Sequence, residues 1–307
     1  MNWAKRRKAE LAAVCFERGQ VHAAHIFRSR GAPPAVKFCR TESVGGNAPA
    51  VLARLKQDLG LQRYRCSTVM GAGDYRFLVM EAPKVPPEEI KEAVRWGLKD
   101  LIDYPPETAI VDTLPIAADF DGQSVSNSLH VAVVQRRSVE SIAQQFRAAD
   151  LTLDSIDVTE LALRNLAALF AEPGMGVAFA WFCTSGSGIA FVANGELCMV
   201  RQLDPTAEDA VGALQANDTR VLERIELGLQ RSIDHFERNF SAVPINCVVL
   251  GPFAASAALA EYLVGHLSLP VKLADLDKVL DLSAVPELRD PARAGEVLVT
   301  LGTALRH

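Results

Sequence analysis

The feature of this sequence that most constrains its fold is a strand–turn–strand pattern that occurs twice, about 165 residues apart. In the first copy, apolar runs at residues 11–16 and 20–27 flank the turn Glu17-Arg18-Gly19. Two short apolar runs joined by a glycine-containing turn predict a β-hairpin.

The second copy predicts a longer β-meander. An apolar run at residues 177–183 leads through Thr184-Ser185-Gly186-Ser187-Gly188 into residues 189–193. Asn194-Gly195 then provides two residues that tolerate positive φ, so residues 196–203 are expected to return as the partner strand. Helical patterns follow both copies, and the sequence therefore predicts a duplicated α/β domain with a cleft between its halves.

A further α/β unit of about 70 residues separates the two copies. Pro86-Pro87-Glu88-Glu89 is a typical helix start, and apolar residues at helical spacing predict that this helix continues to Asp103. Residues 111–115 and 129–135 are predicted strands, and Ser138 is expected to cap a second helix.

The last third of the chain begins with the pattern of a long amphipathic helix. Apolar residues keep the 3.6-residue period from Leu222 to Phe240, and the opposite face is charged. Cys247–Gly251 predicts a buried strand that ends in glycine, and residues 255–267 and 295–306 predict later helices. A strand followed by a glycine turn and a helix can present backbone N–H groups to a ligand.

Charge and composition exclude several classes of protein. The 307-residue chain has 37 acidic and 32 basic residues, and its net charge of −5 gives no general attraction to nucleic acid. No run approaches the roughly 20 apolar residues of a membrane helix, so we expect a cytoplasmic protein. The six cysteines lack C-x-x-C spacing, and His22 and His25 are expected on opposite faces of a strand, so we predict reduced thiols and no metal site.

Several blocks, in this order along the chain, resemble PilM-like proteins of type IV pilus assembly. The matching blocks are Glu89–Trp96, Leu101–Pro105, Leu153–Leu166, Val248–Gly251 and Leu301–Arg306. The resemblance covers most of the chain from about residue 80 onward. It is strongest to the shorter members of the family, the MshI group of mannose-sensitive haemagglutinin (MSHA) pilus systems.

The resemblance implies an actin-like, ribonuclease H-like α/β fold with two lobes and an inserted α/β subdomain, related to the cell-division protein FtsA. It also implies an adaptor, held at the inner membrane through its partners, that binds the cytoplasmic N-terminal tail of a PilN-like single-span protein and links the assembly platform to the pilus motor ATPase. GspL of type II secretion is built alike and is an alternative. The expected boundaries are 1–83 and 156–172 for the first lobe, 84–155 for the insert, 173–206 for the hairpin of the second lobe, 207–245 for its helical part, and 246–307 for its remainder with the C-terminal helix.

An actin-like nucleotide site needs two hairpin turns with free N–H groups, an acidic residue oriented toward Mg²⁺, and a glycine turn beside the adenosine. Here Glu17 places a carboxylate in the first turn, and Trp181 and Cys183 stand where the family has Asp and Gly in an Asp-Ile-Gly run. The third motif keeps Gly251, but Pro252 and Phe253 follow it. We therefore predict a pseudo-ATPase without a cofactor.

One feature still favours nucleotide binding. Thr184, Ser185, Gly186, Ser187 and Gly188 could form a nest of N–H groups around a phosphate. The alternative function is accordingly an ATP- and Mg²⁺-binding switch or weak ATPase that uses this segment as its phosphate loop. The competing interpretation is a flexible turn in a fold that no longer binds nucleotide, and no other catalytic residues are predicted.

Trp96 is the most suggestive residue for binding a partner. It lies about 150° from the centre of the apolar stripe of its helix, so it is either covered by another segment or exposed to a partner. Tyr104 and Pro105 are expected on the same surface. In PilM-like proteins the partner's tail lies in a groove between the inserted subdomain and the first lobe.

The remaining polar groups have simpler interpretations. Lys5-Arg6-Arg7-Lys8 beside Trp3 predicts either weak contact with anionic lipid or a solvated terminus. Asp112, Asp119 and Asp121 are expected to be solvated turn residues. Asp157 and Thr159 are expected to cap a helix beside the cleft.

Overall fold

Across the residues that the computed structural model describes, 10–116, 127–183 and 185–306, the chain folds around three β-sheets. Its strands are β1 (Leu11–Glu17), β2 (Gln20–Phe27), β3 (Ala35–Ser43), β4 (Arg65–Val69), β5 (Tyr75–Glu81), β6 (Ala109–Pro115), β7 (Ser128–Gln135), β8 (Leu153–Asp157), β9 (Gly176–Cys183), β10 (Gly186–Ala193), β11 (Glu196–Leu203), β12 (Ile245–Leu250) and β13 (Val271–Leu273). Its helices are α1 (Ala48–Leu59), α2 (Ile90–Gly97), α3 (Arg136–Ala148), α4 (Thr159–Ala167), α5 (Ala207–Ala216), α6 (Thr219–Asn239), α7 (Ser256–Leu263), α8 (Pro291–Glu296) and α9 (Leu298–Ala304).

Two of the sheets share one topology. The first sheet has the order β3-β2-β1-β4-β8, and the second has the order β11-β10-β9-β12-β13. In each, three consecutive strands form an antiparallel meander and two later strands extend the sheet in parallel. The duplicated α/β fold expected from the sequence is thus confirmed by strand order, and we call the two halves the first and the second lobe.

Helices α4 and α9 lie between these two sheets, with α9 packed on the first and α4 on the second. They approach each other closely because Gly302 has no side chain: a Cβ atom there would lie 2.1 Å from the carbonyl oxygen of Ala162. The helices and the facing sheet surfaces enclose one apolar core, which includes Leu163, Trp181 and Leu301. This core joins the two lobes.

Strand β9 is buried on both faces, which explains its continuous apolar sequence. Phe179 and Trp181 point into the core between the lobes. Because side chains alternate along a strand, Ala180 and Phe182 point instead into a second core beneath α5, α6 and α7. The apolar stripe predicted for α6 is confirmed, since it is buried in this second core.

The inserted unit is a three-stranded sheet of order β5-β7-β6 with α2 packed on one face. Two expectations about its extent differ from the structure. Strand β5 belongs to this sheet, although the expected boundary placed it in the first lobe, 1–83. Helix α3 lies within the expected insert, 84–155, but its Phe146 packs in the core of the first lobe with Leu52 and Leu55 of α1. The unit's own core is formed by Val94, Leu98 and the β6 and β7 side chains that face α2.

Several helices are shorter than their sequence patterns predict. The helix expected to reach Asp103 ends at Gly97, and tight turns follow it. The closing helix expected from residue 295 is two helices, α8 and α9, which meet at Val297. Within the described residues, no helix combines the length and the hydropathy that crossing a membrane requires.

Candidate functional site

The cleft between the lobes begins at the turn between β1 and β2. Arg18 and Gly19 form this turn with φ of 41° and 77°, as a two-residue hairpin requires. The Glu17 side chain is buried, and its Oε2 lies 4.0 Å from His22 Nε2. Arg18 reaches across to Glu208 on α5 of the second lobe and forms an ion pair with it. A carboxylate thus lies at the turn, and an ion pair spans the cleft.

The turn between β9 and β10 differs from the loop predicted on the sequence. Cys183 pairs directly with Gly186, so only two residues form the turn, and Gly186, Ser187 and Gly188 belong to β10. Ser187 is buried rather than displayed at a loop. The expectation of a five-residue phosphate loop is therefore wrong for residues 186–188. Thr184 lies outside the described residues.

Trp181 explains why Gly188 has no side chain. The indole is fully buried, and a Cβ atom at Gly188 would lie 2.5 Å from its Cζ2 atom. It would also lie 2.6 Å from the carbonyl oxygen of Arg201 on the neighbouring strand. Gly188 therefore makes room for the tryptophan ring.

Gly251 and Phe253 of the third motif also contact other parts of the protein. The N–H of Gly251 donates to the carbonyl oxygen of Ala180 at 2.7 Å. A Cβ atom at Gly251 would lie 3.1 Å from Phe179 Cζ, so the glycine permits β12 to pack against β9. Phe253 is buried with its ring centroid 5.3 Å from that of Phe182. Gly251 and Phe253 thus serve packing between strands.

A buried carboxylate connects all three parts of the molecule. Glu160, at the start of α4, accepts a hydrogen bond from Tyr75 of the insert at 2.6 Å and one from Gln202 of the second lobe at 3.0 Å. Burial raises the pKa of the Glu160 carboxyl. Burial also raises the pKa of the Cys183 thiol to about 12, and the Glu17 carboxylate acts in the same direction. Cys183 is therefore a neutral packing residue, not a nucleophile.

A second candidate site is a groove between the inserted sheet and the first lobe. It is a cavity of about 320 Å³. One wall is the face of the inserted sheet opposite α2, with Phe77, His130 and Ala132. The other wall is β8 and α4 of the first lobe, with Ile156 and Leu161. The groove therefore lies where the resemblance to PilM-like proteins implies one.

Charged side chains also line this groove. Arg306 Nη1 lies 2.6 Å from Asp157 Oδ2, and the Asp157 side chain is almost fully buried. The expectation that Asp157 or Thr159 caps the following helix is wrong, because the N-cap is Val158 and no side chain caps it. Asp157 instead accepts from Val158 N–H and from Arg306. No local sequence pattern indicates this role of Arg306, because its partner lies 149 residues away.

The partner residues predicted from the sequence lie outside the groove. Trp96 is 63% exposed, and its indole N–H donates to Glu92 at 3.1 Å, so another segment does not cover it. However, α2 packs on the opposite face of the inserted sheet from the groove. Tyr104 packs against the core beneath α2, and neither it nor Pro105 lines the groove. These three residues do not mark the groove.

Other predicted positions are distributed as follows. Asp112 lies in strand β6 and lines the groove, and its Oδ1 is 2.6 Å from Lys91 Nζ. It is therefore a strand residue with an ion-pair partner, and the expectation of a turn residue is wrong. Asp119 and Asp121 lie outside the described residues. The same is true of Trp3 and the basic cluster Lys5–Lys8.

Solved structures decide the fold. A PilM-PilN type IV pilus biogenesis complex superposes over 97% of this chain and 98% of the matched chain, with a TM-score of 0.71 and 20% sequence identity. A protein from Bacteroides thetaiotaomicron, described as having an actin-like ATPase fold and unknown function, matches over 92% of this chain and 96% of its own, with a TM-score of 0.50 and 10% identity. The fold is actin-like. The PilM-like resemblance seen in the sequence is confirmed at the level of the fold.

Other comparisons add less. The cytoplasmic domain of EpsL, an inner-membrane component of the type II secretion system of Vibrio cholerae, matches over 62% of this chain and 71% of its own, with a TM-score of 0.45 and 11% identity. No protein-family model and no curated protein matches the sequence.

Proposed function

We propose that this chain is a PilM-like adaptor of type IV pilus assembly, of the MSHA type. It binds the cytoplasmic N-terminal tail of a PilN-like inner-membrane protein in the groove between the inserted sheet and the first lobe. It works in the cytoplasm, is held at the inner membrane by that partner, and connects it to the pilus motor ATPase.

The observation that supports this proposal is the position and chemistry of the groove. Its sheet wall carries Phe77 and Ala132 and its helical wall carries Leu161, so apolar side chains of an extended peptide would find apolar contacts on both sides. A cavity of about 320 Å³ fits a few side chains, not a folded domain. A short tail is therefore the occupant that suits it.

Residues of the cleft support a second part of the proposal, namely that the protein works without binding or hydrolysing a nucleotide. Trp181 cannot coordinate Mg²⁺, and Glu17 would repel a phosphate at the first turn. We accordingly propose a pseudo-ATPase. The competing function is an ATP-binding switch of the same fold. It is favoured by Ser185 and Gly186, the two residues at the β9–β10 turn that could still contact a phosphate.

The test is titration calorimetry of the full chain with a synthetic peptide of the tail of the PilN-like protein encoded by the same organism. Ala132→Arg places a long cation in the groove from the central strand β7, and we expect the Kd to rise at least about 30-fold. Trp96→Ala is the matched control, because it removes a large exposed side chain from the opposite face of the same sheet.

The expected result is tight binding by the wild type and by Trp96→Ala, and weak binding by Ala132→Arg at an unchanged melting temperature. Loss of binding in Trp96→Ala with full binding in Ala132→Arg would move the docking surface to α2. Absence of binding by the wild-type chain would contradict the adaptor function itself.

A further inference from the structure

Two side chains of the groove wall also bind the second lobe. His130 Nε2 lies 3.1 Å from the carbonyl oxygen of Leu197. Arg164 Nη1 lies 3.2 Å from the carbonyl oxygen of Gly195 and 3.0 Å from Glu196 Oε2. Gly195, Glu196 and Leu197 form the turn and the start of β11 in the β10–β11 hairpin. The groove wall is therefore attached to the tip of a hairpin in the other lobe.

Each of these two side chains has a second buried nitrogen with no hydrogen-bond partner among the described residues. These atoms are His130 Nδ1 and Arg164 Nε. The carbonyl of Leu197 can only accept, so His130 Nε2 carries the hydrogen, and burial lowers the His130 pKa and keeps the ring neutral. Nδ1 is then an acceptor, whereas Arg164 Nε is a donor. A buried polar atom left without a partner destabilises the folded protein, because it has lost its hydrogen bonds to water.

The same hairpin extends from the groove to the cleft. Strand β10 begins at Gly186 in the cleft and ends beside the turn at Asn194-Gly195. Strand β11 returns to Gln202, which donates to Glu160 at 3.0 Å. This two-stranded ribbon therefore connects the groove side of the hairpin with the junction of the two lobes.

We propose that occupancy of the groove is coupled to the contact between the inserted unit and the second lobe, a regulation that rests on the proposed tail binding. His130 and Arg164 both line the groove, so a bound peptide packs against the two side chains that hold the β10–β11 turn. This packing restricts their motion and favours the conformations in which their bonds to the turn are formed. By thermodynamic reciprocity, an intact contact with the turn strengthens binding of the tail.

The test changes a residue that the tail does not touch. Glu196 does not line the groove and is half exposed, so Glu196→Ala removes the charged acceptor of Arg164 without entering the site. We expect its Kd for the synthetic tail to rise on the order of fivefold. Glu172→Ala is the matched control, since it breaks another exposed ion pair, with Lys272 of the second lobe, away from the hairpin turn. Its Kd is expected to stay unchanged.

Hydrogen exchange of the wild type provides the second readout. Amides of residues 194–198 should exchange more slowly when the tail is bound. Equal Kd values for wild type and Glu196→Ala, with no added protection at the turn, would overturn the coupling and leave tail binding intact. Failure of the wild type to bind the tail would refute the proposed function and this coupling with it.

Discussion

The cleft between the lobes and the groove beside the insert differ in what fills them. On the side of the cleft, the indole of Trp181 and the ring of Phe253 are buried, and the carboxylate of Glu17 lies at the β1–β2 turn. In the groove, a cavity remains between an apolar sheet face and α4. Trp181 and Phe253 are thus packing residues, whereas the groove residues line open space. We therefore expect substitutions in the cleft to change stability, and substitutions in the groove to change binding.

Trp181→Ala should have the largest effect on stability. The side chain is fully buried in the core shared by both lobes, and truncation of a buried tryptophan costs about 3–5 kcal/mol. Trp96→Ala is the same change at a side chain that is 63% exposed, and it should cost less than about 0.5 kcal/mol. Urea unfolding of both variants measures the difference. Equal losses would mean that the cleft is not a packed core.

Acid sensitivity should come from His22, beside Glu17 at the cleft. Burial lowers its pKa to about 4, below the ordinary value of 6.5, so the unfolded chain takes up the proton first. The contribution of His22 to stability is complete above pH 6.5 and falls, by on the order of 3 kcal/mol, as the pH drops to 4.

The variant His22→Gln should lose less of its unfolding free energy across this pH range. His235→Gln, at an exposed position on α6, is the control and should follow the wild-type curve. Chemical unfolding at several pH values between 4 and 7 gives the comparison. Parallel curves for His22→Gln and the wild type would show that the histidine at the cleft is solvated.

Gly188→Ala should lower the unfolding free energy by about 2 kcal/mol, in the range of overpacked cores. Its methyl group would meet both Trp181 and the backbone of Arg201, neither of which can retreat easily. Gly212→Ala on α5 is the control, because nothing lies within 4 Å of the added carbon and alanine favours a helix. An unchanged unfolding free energy in Gly188→Ala would instead indicate that this glycine is needed for a ligand.

The ion pair between Arg18 and Glu208 should matter least. It spans the cleft, but both side chains are at least half exposed, and exposed pairs contribute about 0–1 kcal/mol. Glu208→Ala should therefore change stability by less than about 1 kcal/mol, and 1 M salt should remove the difference. A larger loss in a double-mutant cycle with Arg18→Ala would mean that this bridge, and not the apolar core, holds the lobes together.

The sequence predicted the elements whose patterns are local. The β1–β2 turn, the β10–β11 turn and the apolar period of helix α6 are as expected, and Asn194-Gly195 adopts the expected positive φ of 51° and 79°. Trp181 and Glu17 are residue types that do not suit metal or phosphate, and the loss of nucleotide binding that they indicate stays a prediction. Strand β5 comes before the helix start at Pro86-Pro87, which is the first clear signal of the insert, and this explains why the boundary of the insert was misplaced.

The groove could not be predicted from residue patterns alone. Its walls come from β5, β7, α4 and the last described residue, Arg306, which are far apart along the chain. The angular position of Trp96 on α2 correctly predicted that its side chain lies outside the local core. That angle carries no information about which face of the inserted sheet α2 covers. Likewise, a side chain at a helix start is a common cap, and only tertiary structure reveals that Asp157 binds Arg306 instead.

The most direct test of the contrast between the two regions is one thermal unfolding experiment on the wild-type chain with two ligands. A ligand present at 100 times its Kd stabilises the folded state by about 2.7 kcal/mol. We predict that the synthetic tail raises the melting temperature by several degrees, and that millimolar Mg·ATP leaves it unchanged. A clear rise with Mg·ATP and none with the tail would contradict the account, because the cleft would then be the working site and the groove would not.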